Sequence, residues 1–263
     1  MKAYAKINLA LVVGPIRADG KHEVATVLQR VELSDRVTLE PSRRLRVEGF
    51  AADTLVREAL EAVSSSAAVK PAWTVRIEKE IPVAAGLGGG SSDAAAALRL
   101  ANATLERPLP PGRLHELARA LGADVPFFLA QGPKLGTGDG STLEPLRLRQ
   151  DYVCLLCLPE GSSKESTASV YSAFDAAGRA TGFAGRRERL AAALDAGDLA
   201  SLPPNDLASS PLADELIALG AFRADISGAG PTVYGLFEDP ADARRAAAAL
   251  EARGRVWIVG PKW

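Results

Sequence analysis

Along residues 3–13, AYAKINLALVV, apolar and polar positions alternate. Ala5, Ile7, Leu9, Leu11 and Val13 share one face, and Tyr4, Lys6 and Asn8 share the other. A period of two predicts a strand that carries Lys6 and Asn8 side by side on a solvated face. GPIRADGKH then reads as a turn, and VATVLQRVEL, RVTLEP and RLRVEGF predict short antiparallel strands with polar turns between them. In DTLVREALEAVSSSA the apolar spacing turns helical, predicting a helix from about Asp53 to Val63. WTVRIEKEIP alternates as a strand that Pro82 ends. A glycine run follows, then a helix through about Thr104 and another over GRLHELARAL, residues 112–121. RRERLAAALDAG and ADARRAAAALEARG carry charged faces and predict amphipathic surface helices. Between them FRADISGAGPTVYGLF reads as a glycine turn flanked by strands. From residue 150 onward the order is therefore strand, helices, strand, strand, helix, strand, an α/β sandwich.

Composition narrows the function classes. The 263 residues hold 47% hydrophobic side chains, ample for a core, and 31 basic against 32 acidic groups leave a net charge of -1. Without a run of one sign there is no electrostatic reason to expect nucleic acid or a membrane surface, so a small-molecule ligand is the expectation. No stretch reaches a membrane span, and the amino-terminal MKAYAKINLALVVGPIRADG lacks a cleavage region, which predicts a cytoplasmic protein. Cys154 and Cys157 are the only cysteines, and they sit inside the apolar run YVCLLCL on opposite faces of an expected buried strand. With only His22 and His115 besides, no protein-held metal site is expected.

The densest chemical signal is AGLGGGSSDAAAAL, residues 85–98, where glycines run directly into strong helix formers. Gly86, Gly88, Gly89 and Gly90 can take positive φ and bring backbone N–H groups close to a ligand. Ser91, Ser92 or Asp93 can cap the helix that follows, with Asp93 favoured for that role. Free amides and the positive end of a helix dipole suit an anion, phosphate above all. The spacing is neither that of a Walker loop nor that of a dinucleotide fold, and a flexible turn before a well-capped helix is the plainer alternative. In LGADVPFF, Asp124 can serve as an N-cap ahead of Pro126 or as a proton acceptor, and the two roles are compatible.

Pro82–Ala94 resembles the second motif of the GHMP kinases, P-x-x-x-G-L-G-G-G-S-S-D/N-A. Four further segments agree in order and spacing: AYAKINLAL, RADGKHEVATVLQ, LGADVPFF and ISGAGPTVYGLF, together reaching from residue 3 to 237. PNDL at 204–207 resembles a further family segment, with Ala208 where a glutamate usually stands. The pattern is most similar to the branch of the family that acts on CDP-methylerythritol in the non-mevalonate isoprenoid pathway. Homoserine- or mevalonate-type kinases and a non-catalytic nucleotide-binding relative are the alternatives.

The resemblance implies an α+β, two-domain fold. A ribosomal protein S5 domain 2-like domain is expected over 1–149, and a ferredoxin-like α/β sandwich over 150–263. It implies ATP as phosphate donor with Mg2+, and places the paired catalytic lysine and aspartate on Lys6 and Asp124. Nucleotide binding falls on Lys79 and on Pro82, Val83, Ala84, Ala85, Gly86, Leu87, Gly88, Gly89, Gly90, Ser91 and Ser92. Substrate binding falls on Asn8, Lys21, His22, Thr167 and Tyr171. Two positions depart from the pattern: Lys21 replaces an aromatic residue that stacks on the cytosine, and Thr54 replaces an asparagine near adenine.

Overall fold

The computed structural model describes residues 1–50, 54–162 and 166–263. In chain order these form β1 (Lys2–Ile16), β2 (His22–Pro41), β3 (Arg46–Glu48), α1 (Thr54–Ser66) and β4 (Trp73–Glu78). Next come α2 (Gly89–Ala103), α3 (Pro111–Leu121), α4 (Val125–Leu129), β5 (Lys134–Gly138), β6 (Thr142–Pro145) and β7 (Val153–Pro159). The remainder is α5 (Thr167–Ala176), α6 (Phe183–Asp195), α7 (Pro211–Ala218), β8 (Arg223–Ile226), β9 (Val233–Phe237), α8 (Pro240–Leu250), β10 (Gly254–Val259) and β11 (Pro261–Lys262). The expected helix start at Asp53 lies outside the described residues. No helix among those residues is long and apolar enough to cross a membrane.

Two compact units are built from non-contiguous segments. One comprises Met1–Ala5, Leu33–Val83 and Gly88–Gln131, the other Lys6–Glu32, Ala84–Leu87 and Gly132–Trp263. In the first unit, Arg36–Pro41 of β2 pairs antiparallel with β4, and β3 pairs with β4 in parallel. Helix α2 packs against α1 and α4, and α3 closes on both of those. Small side chains permit the approach: Ala94, Ala95, Ala96, Ala97 and Ala101 of α2 are all buried, with Leu98 among them.

In the second unit, Val24–Leu28 of β2 pairs antiparallel with β5, which forms a hairpin with β6. A four-stranded antiparallel sheet in the order β10-β7-β9-β8 completes it. Numbered by their own sequence order those strands run 4-1-3-2, the arrangement of a ferredoxin-like sandwich, as expected for the carboxy-terminal part. Helices α7 and α8 cover the sheet, and Leu155, Cys157, Leu216, Phe237 and Leu250 form the core between them. Cys154 and Cys157 are both buried and unbridged, and burial pushes both thiols above their ordinary value.

Three expectations from periodicity are corrected. The residues expected to form separate short strands, from VATVLQRVEL to RVTLEP, belong to one 20-residue strand, β2. The polar SDR stretch at 34–36 reads as a turn, but Asp35 points inward and is fully buried, so the strand continues through it. RLRVEGF supplies β3, which pairs in parallel rather than antiparallel. Finally, β1 has no solvated face over Ala5–Gly14. Lys6 and Asn8 are 4% and 5% exposed, because the segment after β8 lies over them, with Gly228 next to both side chains and Ser227 Oγ accepting the Asn8 main-chain N–H at 3.3 Å.

Candidate active site

The glycine segment is anchored by its apolar members. Ala85 and Leu87 are buried while Val83 and Ala84 are exposed, so any contact Ala85 and Leu87 make with a ligand runs through the main chain. Within the second unit, residues 84–87 are held at three points: Lys6 N–H donates to Leu87 O at 2.9 Å, Thr232 N–H to Ala85 O at 3.3 Å, and Ser227 Oγ to Gly86 O at 2.9 Å. Gly86 sits at φ 79° with no room for a side chain, since a Cβ would stand 2.2 Å from Ser227 O.

Within the first unit, Gly88 is the N-cap of α2 in the left-handed conformation, φ 70°. Gly89 and Gly90 are helical, not positive in φ as the sequence suggested, and no side chain caps the helix. The first intrahelical bond is Ser92 N–H to Gly88 O at 2.9 Å, so the amides of Gly89, Gly90 and Ser91 have no intrahelical acceptor. That is the donor set an anion at a helix amino terminus requires.

The expected cap, Asp93, does something else. It is fully buried and accepts from Lys79 Nζ at 2.8 Å, while Asp35, also fully buried, accepts from the same ammonium at 2.5 Å. Asp35 Oδ1 further accepts the N–H groups of Glu80 and Ile81 at 2.6 and 2.8 Å, fixing the end of β4. Burial disfavours the Lys79 ammonium, but the bonds and charges of Asp35 and Asp93 outweigh it and raise its pKa above the ordinary 10.5. The contribution to stability is therefore full below about pH 10.5 and is lost as pH rises through the folded-state value. Lys79→Met would leave two buried carboxylates without their shared cation. Thermal and urea unfolding should report a loss of roughly 3–5 kcal/mol, and a change under about 1 kcal/mol would contradict the buried pairing.

In the second unit, Lys6 Nζ donates to Asn8 Oδ1 at 2.6 Å and Asn8 Nδ2 donates to Thr26 Oγ1 at 2.8 Å. A Cβ built on Gly228, at φ 60°, would lie 3.4 Å from both Lys6 Nζ and Asn8 Oδ1 and 3.5 Å from Gly86 O. The lysine ammonium, the asparagine amide and the glycine loop thus surround one position. Asn205 of the PNDL segment braces it, donating through Nδ2 to Ile226 O at 2.9 Å and Gly228 O at 2.6 Å. Ser227 and Asn205 were not singled out as site residues from the sequence. Their signal lay only in the ISGAGPTV and PNDL segments that contain them.

Asp124, in the first unit, is half-buried at the N-cap position of α4, with Pro126 in the first turn and Phe127 and Phe128 buried behind it. Its φ of -81° and ψ of -21° are helical, and its side chain makes no capping bond. The capping role considered for it from sequence is absent.

Of the residues expected to bind substrate, the second unit brings His22 and Tyr171 together, their rings stacked with centroids 4.9 Å apart, and Phe174 meets the imidazole edge-on. Phe174 belongs to a small core with Leu11, Val13, Val24 and Leu207, which seats α5. His22 Nδ1 lies 2.8 Å from Gly14 O, so that nitrogen carries a hydrogen, and Nε2 lies 3.3 Å from Asp175 Oδ2. Lys21 Nζ pairs with Asp139 Oδ2 at 2.5 Å, in the β5–β6 turn. Burial works to raise the Asp139 carboxyl, yet the bonds from Lys21 and Ser141 hold it below the usual carboxylate range. Thr167 is the exposed first residue of α5, and Ser166 caps that helix by accepting from Ser169 N–H. Thr54 is likewise an exposed first residue, of α1.

Comparison with known proteins places this arrangement. Residues 54–132 match the GHMP kinases N terminal domain, and residues 183–256 match the GHMP kinases C terminal domain. A 4-diphosphocytidyl-2-C-methyl-D-erythritol kinase of Anaeromyxobacter dehalogenans is 39% identical over 274 residues, covering 98% of this chain and 87% of the relative. The chain belongs to the GHMP kinases. A relative of the same name from Moorella thermoacetica is 37% identical over 274 residues, covering 95% of the chain and 94% of that protein. Among solved structures, a 4-(cytidine 5'-diphospho)-2C-methyl-D-erythritol kinase superposes with a TM-score of 0.83 at 33% identity, covering 100% of this chain and 99% of the other. A mevalonate kinase reaches a TM-score of 0.74 at 11% identity over 100% and 98% of the two chains, a likeness of fold alone.

As a GHMP kinase the protein is an ATP-dependent phosphotransferase. The open amides at the amino terminus of α2 are of a kind that fits a phosphate-bearing ligand. For a metal the fit is different. Among the described residues no group of three or more His, Cys, Asp and Glu could hold an ion, and the carboxylate nearest the glycine loop in sequence, Asp93, binds Lys79.

Proposed function

We propose that this GHMP kinase transfers the γ-phosphoryl group of ATP to the 2-hydroxyl of 4-diphosphocytidyl-2-C-methyl-D-erythritol, a step of the non-mevalonate isoprenoid pathway in the cytoplasm. The geometry that carries the reading is the buried Lys6 ammonium, held by Asn8 next to a glycine loop that leads into the open amino terminus of α2. A fixed cation and an anion-binding helix terminus are both parts that phosphoryl transfer uses to stabilise charge spread over equatorial oxygens. The choice of acceptor rests on the near full-length similarity to kinases of that name.

Each group then has a task. The amides of Gly89, Gly90 and Ser91 hold phosphate oxygens, with residues 82–88 and Ser92 shaping the cradle, and Lys79 acts from beneath it by keeping β4 and α2 in register. Lys6 neutralises charge on the phosphoryl being transferred, and Asn8 orients both Lys6 and the hydroxyl. Asp124 takes the hydroxyl proton. In a loose transition state the alcohol becomes acidic only as the new O–P bond forms, so an ordinary carboxylate is basic enough. Magnesium, when bound with the nucleotide, would supply further charge neutralisation, and Ser92 in the first turn of α2 is the residue of this chain that would help to hold it. His22, Tyr171, Thr167 and Lys21 receive the cytidine diphosphate end, with the Lys21 ammonium offering charge to the diphosphate where an aromatic ring is missing.

Coupled ADP release with CDP-methylerythritol, homoserine and mevalonate as separate acceptors tests the reading. Turnover is expected with the first alone. Turnover confined to either of the others would overturn the substrate assignment, and ATP binding without turnover on any would mark a non-catalytic relative.

A further inference from the structure

A buried hydroxyl two hydrogen bonds away from Lys6 sets the direction of the bonds there. Lys6, Asn8 and Thr26 are 4%, 5% and 5% exposed, so water plays little part in orienting them. Thr26 Oγ1 lies 2.8 Å from the main-chain carbonyl of Ala10 in β1. A carbonyl can only accept, and a threonine hydroxyl has one proton, so that proton points at Ala10 O. Toward Asn8 the hydroxyl can therefore only accept, and it does so from Nδ2 at 2.8 Å. The two ends of a side-chain amide are opposite in character, so seating the NH2 on Thr26 turns the carbonyl oxygen, Oδ1, to Lys6 Nζ at 2.6 Å. A flipped amide would set NH2 against ammonium and hydroxyl oxygen against carbonyl oxygen, two mismatches in a low-dielectric setting.

We propose that Thr26 is a positioning residue for phosphoryl transfer: its single proton, spent on Ala10 O, locks the Asn8 amide and through it the place of the Lys6 ammonium. The proposal rests on the reading of Lys6 as a transfer group and adds a residue that reading does not contain. Spacing conceals it, because Thr26 lies 18 residues from Asn8 on a different strand.

Thr26→Val keeps the shape of the side chain and removes the hydroxyl, whereas Thr26→Ser keeps the hydroxyl and removes a methyl. The valine variant should lose roughly 10- to 100-fold in kcat, the range for groups that orient a functional side chain at one remove, with KM for ATP within about twofold of wild type. The serine variant should keep kcat within about threefold of wild type, the margin expected when only a methyl is lost. Equal loss in both variants would assign the effect to packing, and an undiminished kcat in Thr26→Val would remove the relay from the reaction. A second readout needs no turnover. In protein labelled with 15N-lysine, the Lys6 ammonium, assigned through Lys6→Arg, should give a slowly exchanging Nζ–H signal in wild type and Thr26→Ser and a fast-exchanging one in Thr26→Val. Identical exchange in all three overturns the lock even if the protein phosphorylates nothing. Wild-type inactivity on CDP-methylerythritol alongside the expected exchange pattern would count against the substrate and leave the lock standing.

Discussion

Asp124→Asn is expected to lower kcat by roughly 10²- to 10⁴-fold, the range general-base catalysis supplies, while ATP binds as before. The expectation of intact binding comes from local structure. Asp124 makes no capping bond to α4, so an amide there gives up no capping hydrogen bond. The five residues of α4 are anchored by buried Val125, Phe127 and Phe128, and its end is closed by Ala130 N–H on Phe127 O at 3.2 Å. Asparagine is nearly the same size as aspartate and cannot take up a proton at neutral pH. The nucleotide cradle proposed at Gly89–Ser91 is built from main chain that the substitution does not alter. Calorimetric titration with ATP, melting temperature and coupled ADP release together decide the matter. Wild-type turnover in the variant would take Asp124 out of the chemistry, and a collapsed melting temperature would make its role one of folding.

Gly86→Ala should abolish useful ATP binding, raising Kd by at least roughly 10²-fold, or about 2.7 kcal/mol. A methyl at this position meets Ser227 O at 2.2 Å and Gly230 O at 2.9 Å, both of them main-chain atoms with no rotamer to move to. The left-handed φ of 79° adds about 1–2 kcal/mol for any residue with a Cβ. The loop would have to lift, giving up the Ser227 bond to Gly86 O and straining Lys6 N–H against Leu87 O. Gly90→Ala is the informative partner. Its Cβ meets nothing within 4 Å and it lies in the first turn of α2, so the fold should be kept or stabilised, by up to about 1 kcal/mol from helix propensity. Near-wild-type ATP affinity in Gly86→Ala would show that phosphate is held elsewhere.

These two glycines illustrate where reading a sequence stops. Both belong to one glycine-rich segment, both are free of a side chain, and both can take positive φ. Gly86 is required by the approach of residues 227–230, more than 140 positions along the chain, while Gly90 is an ordinary helical residue. Asp93 follows the same logic. Its place after two serines suggests a cap, and only the return of β4 with Lys79 and the inward turn of Asp35 on β2 make it half of a buried pair around one ammonium.

By itself the sequence determined what depends on neighbours along the chain. The two-residue period of β1, the junction of glycines with an alanine helix, the strand and helix order that closes as β10-β7-β9-β8, and the segments that mark a GHMP kinase are all local patterns. Tertiary structure alone decided burial and partnership. Alternation puts Lys6 and Asn8 on a common face, yet whether that face meets water or is roofed by Ser227, and which hydroxyl orients the amide, depends on chain segments brought close in folding. Periodicity is set by backbone geometry one residue at a time. A buried polar group must instead find a donor or acceptor wherever the fold delivers one, and its sequence separation carries no signal.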